Sequence, residues 1–244
     1  EVACHERNAF VTLTYDDEHI PADRSLNVSE FQRFMKRLRK SIEPQRVKYF
    51  HCGEYGEKLG RPHYHACIFG HDFNDKQLYT VRDGVRLYIS GELQRLWPFG
   101  YSTVGDVTFE SAAYVARYIA KKVTGDGADY HYCEYDEDGV ITTERKPEYS
   151  TGSNGIGKNW LERFRSDVYP RDYVVIRGGH KCRPPRYYDR CLEAEDPRTW
   201  EKIRSARVRR GRDPAIEQER RPERLAVKEY IQHERYSRLI RTLK

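Results

Sequence analysis

An α+β fold is what this 244-residue chain predicts, and three observations lead there. Residues 10–15 alternate β-branched and apolar side chains as a half-buried strand does. Phe31, Phe34, Met35 and Leu38 then recur at i, i+3, i+4 and i+7, the apolar stripe of an amphipathic helix. Two further strand-like runs, 47–54 and 62–69, flank the glycine-punctuated segment 55–61, which reads as the turn of a hairpin.

Taken in order, the first strand stops at Asp16-Asp17. Ser29 with Gln32 three residues on has the form of a capping box, so a helix is expected from there until Pro44 ends it. Its polar side carries Arg33, Lys36, Arg37, Arg39 and Lys40, which reads either as a solvated surface or as a ridge for phosphates. In the hairpin, a register that sets Glu54 opposite His63 also sets Cys52 opposite His65, and Glu54, His63 and His65 then share one face. A short helix is expected around residues 92–97, stopped by Pro98 and Gly100, followed by a strand over 101–107. Thr108 can cap a helix over 109–122, with Gly125 beyond its end. At 100° per residue Tyr114, Tyr118 and Lys121 lie within about 60° of one another, while Ala112, Val115, Ala116 and Ile119 are expected on the opposite, packing side. Residues 126–146 are acidic and tyrosine-rich and suggest an exposed hairpin; 174–176 read as one more strand. After Arg183-Pro184-Pro185 the composition turns Arg- and Glu-rich, a basic helical extension with Tyr236, Leu239, Ile240 and Leu243 at helical spacing.

Composition bounds the function. A net charge of +6 favours a polyanionic partner without fixing where it binds. No apolar run approaches the ~18 residues that span a bilayer, and the first residues lack an apolar signal region, so a soluble intracellular protein is expected. Six scattered cysteines without a C-x-x-C pair argue for reduced thiols over a zinc ribbon or a disulfide framework. The stretch 152–159 nearly fits a phosphate-binding loop, but Asn159 stands where a Ser or Thr would hold Mg²⁺ and no strand is expected to lead into it, so a structural turn is preferred.

Two histidines and two tyrosines carry the chemistry. His63 and His65, two apart on a strand, point to one face and can share a metal ion, or they are simply two polar side chains on a half-exposed face. Two imidazoles and the carboxylate of Glu54 leave coordination positions open, which suits Mg²⁺ or Mn²⁺, although zinc accepts the same ligand types. Tyrosines at i, i+4 usually pack. Lys121, one turn from Tyr118, supplies what a phenol with pKa near 10 needs to attack a phosphate, since it favours phenolate or balances transition-state charge.

Phe10 to Tyr15, then Gly60-Arg61-Pro62-His63-Tyr64-His65, then Tyr114-Val115-Ala116-Arg117-Tyr118-Ile119-Ala120-Lys121-Lys122, resemble the three ordered motifs of HUH-superfamily rolling-circle replication initiators, the Microviridae (gokushovirus-type) initiators in particular. The resemblance covers residues 10–122, with a further likeness at Gly155-Ile156-Gly157 and Trp160. It implies a central antiparallel sheet of about five strands flanked by helices, with the histidines on a central strand and the tyrosine helix across its face. It also implies metal ligands His63, His65 and Glu54, and catalytic groups Tyr118, Tyr114, Lys121 and Lys122. Arg33, Lys36, Arg37, Lys40, Arg61 and Arg117 are the expected DNA contacts. The implied domains are an endonuclease domain over 1–180 and the basic extension over 181–244. The implied activity is site-specific nicking and rejoining of single-stranded viral origin DNA through a 5′-phosphotyrosine, with a divalent cation, Mg²⁺ or Mn²⁺. Supercoiled origin DNA and the host's helicase and polymerase are the implied partners, the bacterial host cytoplasm the implied place of action, and no membrane is involved. Two rival readings stand beside it: a non-catalytic single-stranded nucleic-acid-binding module whose aromatics stack bases, and a transposase of the same superfamily.

Overall fold

Alternation at Asn8–Tyr15 becomes β1, with Ala9, Val11 and Leu13 fully buried on one face and Phe10, Thr12 and Thr14 directed to the other. In the computed structural model all residues are described except 57, 58, 83, 118–121 and 239–244, with only the backbone described at 236. The chain divides into two compact units, Glu1–Ile156 and one that begins at Gly157. Residue 180, the expected domain boundary, falls inside the second.

In the first unit, helix α1 (Val28–Ser41) buries Phe31, Phe34, Met35 and Leu38 as its spacing requires. Its cap differs from expectation: Asn27, in extended conformation, accepts from the Ser29 N–H, so the helix starts before Ser29 and the Ser29/Gln32 box does not form. Strands β2 (Lys48–Tyr55) and β3 (Pro62–Phe69) pair antiparallel with Cys52 opposite His65 and Glu54 opposite His63, the anticipated register. There follow β4 (Gln77–Arg82), β5 (Val85–Ile89), α2 (Gly91–Leu96), β6 (Gly100–Gly105) and α3 (Phe109–Arg117). Next come α4 (Ala128–Tyr132), the separate hairpin β7 (Cys133–Tyr135) and β8 (Ile141–Glu144), and β9 (Tyr149–Gly152).

The main sheet has seven strands in the order β4-β5-β6-β1-β3-β2-β9, all pairs antiparallel. The two strands beyond the expected core that form its β4-β5 edge are exposed along most of their length, so they lack the apolar alternation that marks a strand in a sequence. Strand β3 is bonded on both sides, to β1 and β2, which centres the His-x-His motif in the sheet. β6 can lie against β1 because residue 100 is glycine: its φ is +147°, and a Cβ there would sit 2.2 Å from the Asp16 nitrogen.

Each face of the sheet has its own core. Helix α1 packs its phenylalanines on Val11, Leu13, Tyr64, Ala66 and Ile68. The other face carries Phe10, Cys52, Cys67 and Phe69, covered by Tyr114 and Val115 of α3. Thr108 does cap α3: its Oγ1 accepts from Ser111 N at 3.2 Å, while its own N–H donates to Ser111 Oγ.

The second unit comprises α5 (Lys158–Val168), the short pair β10 (Val174–Val175) and β11 (Lys181–Cys182), α6 (Arg186–Glu195), α7 (Pro197–Gly211), α8 (Pro214–Gln218) and α9 (Pro222–Ser237). β9 precedes and α5 follows the glycine-rich stretch, so a strand does lead into it; its Lys158 pairs with Glu162. Leu161, Val168, Tyr169, Leu192 and Ile203 form the core. Arg207 bridges Asp172 and Asp189, and Tyr169 OH donates to Asp189 at 2.8 Å, so a half-buried cation holds helix α7 to the turn after α5. Leu239, Ile240 and Leu243, expected at helical spacing, lie outside the described residues. All six cysteines are thiols, and no helix among the described residues is long and apolar enough to cross a membrane.

Candidate active site

The β2–β3 register sets three potential ligands on the face that α3 covers. His63 Nε2 lies 3.0 Å and His65 Nε2 2.8 Å from Glu54 Oε1, and one ligand atom from each residue falls within 4.8 Å of the others. Glu54 is 2% exposed and His65 6%, with His63 half-buried at the open side. A carboxylate so buried must be compensated. Burial pushes the Glu54 carboxyl up, but hydrogen bonds and charge from His63 and His65 outweigh it and hold it down at about 2.

Each imidazole is fixed through its other nitrogen. His63 Nδ1 donates to the Arg61 carbonyl at 3.0 Å, and His65 Nδ1 lies 3.0 Å from Thr12 Oγ1 on β1. A proton held on Nδ1 leaves the Nε2 lone pair turned toward Glu54, which is how metal-binding histidines are oriented. Phe10 stacks on His65 with planes 15° apart and ring centres 5.7 Å apart, a further restraint on the ring. Two imidazole nitrogens and one carboxylate oxygen, with no fourth protein ligand among the described residues, can hold a divalent ion with positions left for substrate.

Tyr114 completes the cluster. Its hydroxyl donates to Glu54 Oε1 at 3.0 Å, and its ring meets His65 edge-on with centres 5.0 Å apart. The wheel expectation had Tyr114 turned away from the packing side; instead Ser111, Tyr114 and Val115 face the sheet and Ala116 is exposed. Burying the phenol is tolerated because Glu54 accepts its proton.

Residues 8–123 match the family model of the replication-associated protein ORF2. That match spans all three motifs and every residue of this cluster. The chain belongs to this family of replication-associated proteins. It is 37% identical over 202 residues to the replication-associated protein VP4 of Bdellovibrio phage phiMH2K, which covers 79% of this chain and 60% of that protein. It is 34% identical over 201 residues to the replication-associated protein ORF2 of Spiroplasma virus 4, covering 78% and 59%. It is 32% identical over 209 residues to the replication-associated protein ORF4 of Chlamydia phage 1, covering 80% and 49%. The chain thus spans between about half and three-fifths of the length of these curated relatives. No solved structure matches it.

Within this family member the expected site residues are placed unequally. Glu54, His63, His65 and Tyr114 come together. Tyr118 and Lys121 lie outside the described residues, and Lys122 is exposed. Arg61 donates to the Tyr15 carbonyl at 2.8 Å and pairs with Asp17, while Arg117 Nε donates to the Ala113 carbonyl within its own helix. Arg33, Lys36, Arg37 and Lys40 all sit on α1, which covers the face opposite the histidines. Of these, Arg37 donates to the Leu96 carbonyl at 2.9 Å and lies over Phe99, and Arg33 pairs with Glu30. Thr12 was not singled out from the sequence, although it falls on the same alternate set of β1 as Phe10 and Thr14 and pairs with His65 in register.

Proposed function

We propose that this chain is a metal-dependent, site-specific endonuclease and ligase for single-stranded DNA, which opens and recloses a phage genome in rolling-circle replication. The observation that carries the reading is the convergence of Glu54, both histidines and a tyrosine hydroxyl within hydrogen-bond distance of one carboxylate oxygen. The family and the names of its phage relatives support a role in viral DNA replication.

His63, His65 and Glu54 would hold the divalent cation, Mg²⁺ or Mn²⁺ by ligand type. When bound, that cation supplies Lewis-acid polarisation of a phosphoryl oxygen. Thr12 and the Arg61 carbonyl keep the imidazoles in the tautomer that presents Nε2. Tyr114 is held by Glu54 with its oxygen beside that pair. In the reaction a tyrosine oxygen bonds to phosphorus, the bond from phosphorus to the 3′ oxygen breaks, and the phenol's proton ends on the new 3′-hydroxyl. The phosphoester is conserved, so a 3′-hydroxyl can attack the phosphotyrosine and rejoin strands without ATP. Two tyrosines, Tyr114 and Tyr118, allow one to hold a DNA end while the other attacks, with Lys121 and Lys122 balancing charge. Origin DNA, single-stranded or supercoiled, is the substrate, and the host's helicase and polymerase, in the host cytoplasm, would extend the opened strand.

Labelled single-stranded DNA from the cognate genome, incubated with the protein and Mn²⁺, tests the reading. A covalent adduct that survives denaturation is expected, with retention of salt-sensitive binding but no adduct in His63→Ala/His65→Ala. Binding without any adduct across the whole genome sequence would instead favour the non-catalytic single-strand binder.

A further inference from the structure

The positive charge of this chain is not where the candidate active site is. Residues 1–156 hold 20 Lys and Arg against 24 Asp and Glu, a net of −4, whereas residues from 157 on hold 24 against 14, a net of +10. The unit that bears the histidines is therefore acidic, and a polyanion drawn to this protein by charge is drawn to the other unit.

Within that unit α7 divides its cations between two faces. Ile203 is buried, and beside it Arg207 bridges Asp172 and Asp189 while Arg210 pairs with Asp172, so these two arginines are spent on holding the unit together. On the opposite face lie Arg198, Lys202, Ser205, Arg209 and Arg212, spaced 4, 3, 4 and 3 residues apart and all exposed. That spacing keeps side chains on one line along a helix, here about 21 Å long at 1.5 Å per residue. Among the described residues none of the four cations has a carboxylate within salt-bridge distance. The acidic neighbours are otherwise engaged: Glu201 pairs with Arg204, Glu195 with Arg165, and Asp196 caps α7 through Thr199 while feeling the charge of Lys202. Solvated helix faces ordinarily intersperse both signs.

We propose that this line of Arg198, Lys202, Arg209 and Arg212 is the chain's main contact with the phosphate backbone of DNA. The inference rests on the reading that the chain acts on DNA. It assigns the sequence-independent share of affinity to the second unit and leaves α1, with its Arg33, Lys36, Arg39 and Lys40, a minor contributor. Phosphates on one strand recur closely enough for all four cations to be used at once, each displacing condensed counterions.

The test uses the full chain and two fluorescent probes of one sequence, a single strand and a duplex, titrated between 50 and 200 mM KCl. In Arg198→Gln/Lys202→Gln/Arg209→Gln/Arg212→Gln the slope of log affinity against log salt should fall by about 3 on the probe that the line holds, with each single substitution removing about 0.7 to 0.9. The probe on which it falls tells whether single-stranded or duplex backbone is bound. Replacing the three arginines by lysine should restore the slope, and Arg33→Gln/Lys36→Gln/Arg39→Gln/Lys40→Gln should change it by less than 1. A quadruple variant that keeps the wild-type slope on both probes overturns the assignment, as does loss of slope in the α1 variant instead. Wild-type protein that shows no salt-dependent affinity for either probe overturns the DNA reading itself.

Discussion

Replacing Thr12 by valine removes one hydroxyl from beneath the metal site and nothing else of its shape. In the wild type the His65 ring is 6% exposed and its Nδ1 lies 3.0 Å from Thr12 Oγ1. Valine leaves that N–H buried without its acceptor, a penalty of about 1–3 kcal/mol. The ring can escape the penalty by moving its proton to Nε2 or by turning, and either movement withdraws the lone pair from the ion. A loss of that size corresponds to a rise of about 10- to 100-fold in the dissociation constant for Mn²⁺, the range found for second-layer partners of metal-binding histidines. Binding of Mn²⁺ followed by electron paramagnetic resonance or calorimetry measures it without reference to turnover. Thr12→Ser retains the hydroxyl and should bind within about threefold of wild type, with all three proteins melting at similar temperatures. If Thr12→Val binds Mn²⁺ as tightly as wild type, the hydroxyl does not orient His65 and the reasoning fails.

Other consequences are as direct. Gly100→Ala forces a Cβ to 2.2 Å from the Asp16 nitrogen and 2.5 Å from the Thr14 carbonyl, so β6 must part from β1; roughly 3 kcal/mol of stability should be lost in urea denaturation. Gly84→Ala, with φ +77° and open space around its Cβ, should cost about 1 kcal/mol, and equal losses would refute the steric argument. Burial pushes His51, stacked on Phe31, down to about 3, so the unfolded chain binds a proton near 6.5 that the folded chain refuses. Stability should therefore fall as pH drops from 6.5 toward 3, by at most about 1.4 kcal/mol per unit for that proton, and Glu54, held at about 2 against 4.5, adds to the fall below pH 4.5. His51→Asn should flatten the upper part of that profile; a slope unchanged between pH 6.5 and 5 would count against it. Tyr114→Phe keeps the ring against His65 but loses the bond to Glu54 and should lower the yield of protein–DNA adduct. Adding Tyr118→Phe should abolish it, and an adduct formed by the double variant would sink the tyrosine assignment.

Much of the site was legible before any coordinates because strand geometry is nearly rigid. Side chains alternate, antiparallel partners face each other, and a short turn leaves few registers for 47–54 against 62–69, so Glu54 with His63 and His65 followed from spacing. The edge strands β4 and β5 were not legible, since exposed strands carry no apolar alternation, and the capping residue of α1 was displaced from Ser29 to Asn27 because a cap is decided by backbone geometry over two or three residues.

The sequence alone determined which side chains could serve as ligands and nucleophiles, that the histidines share a face, and which family carries that order of motifs. Periodicity along one element suffices for each of these. Only the tertiary structure decided which face of the sheet each helix covers. That choice depends on how helices and sheet pack together, and it turned Tyr114 inward onto Glu54, set the cations of α1 behind the sheet, and brought Thr12 from another strand to His65.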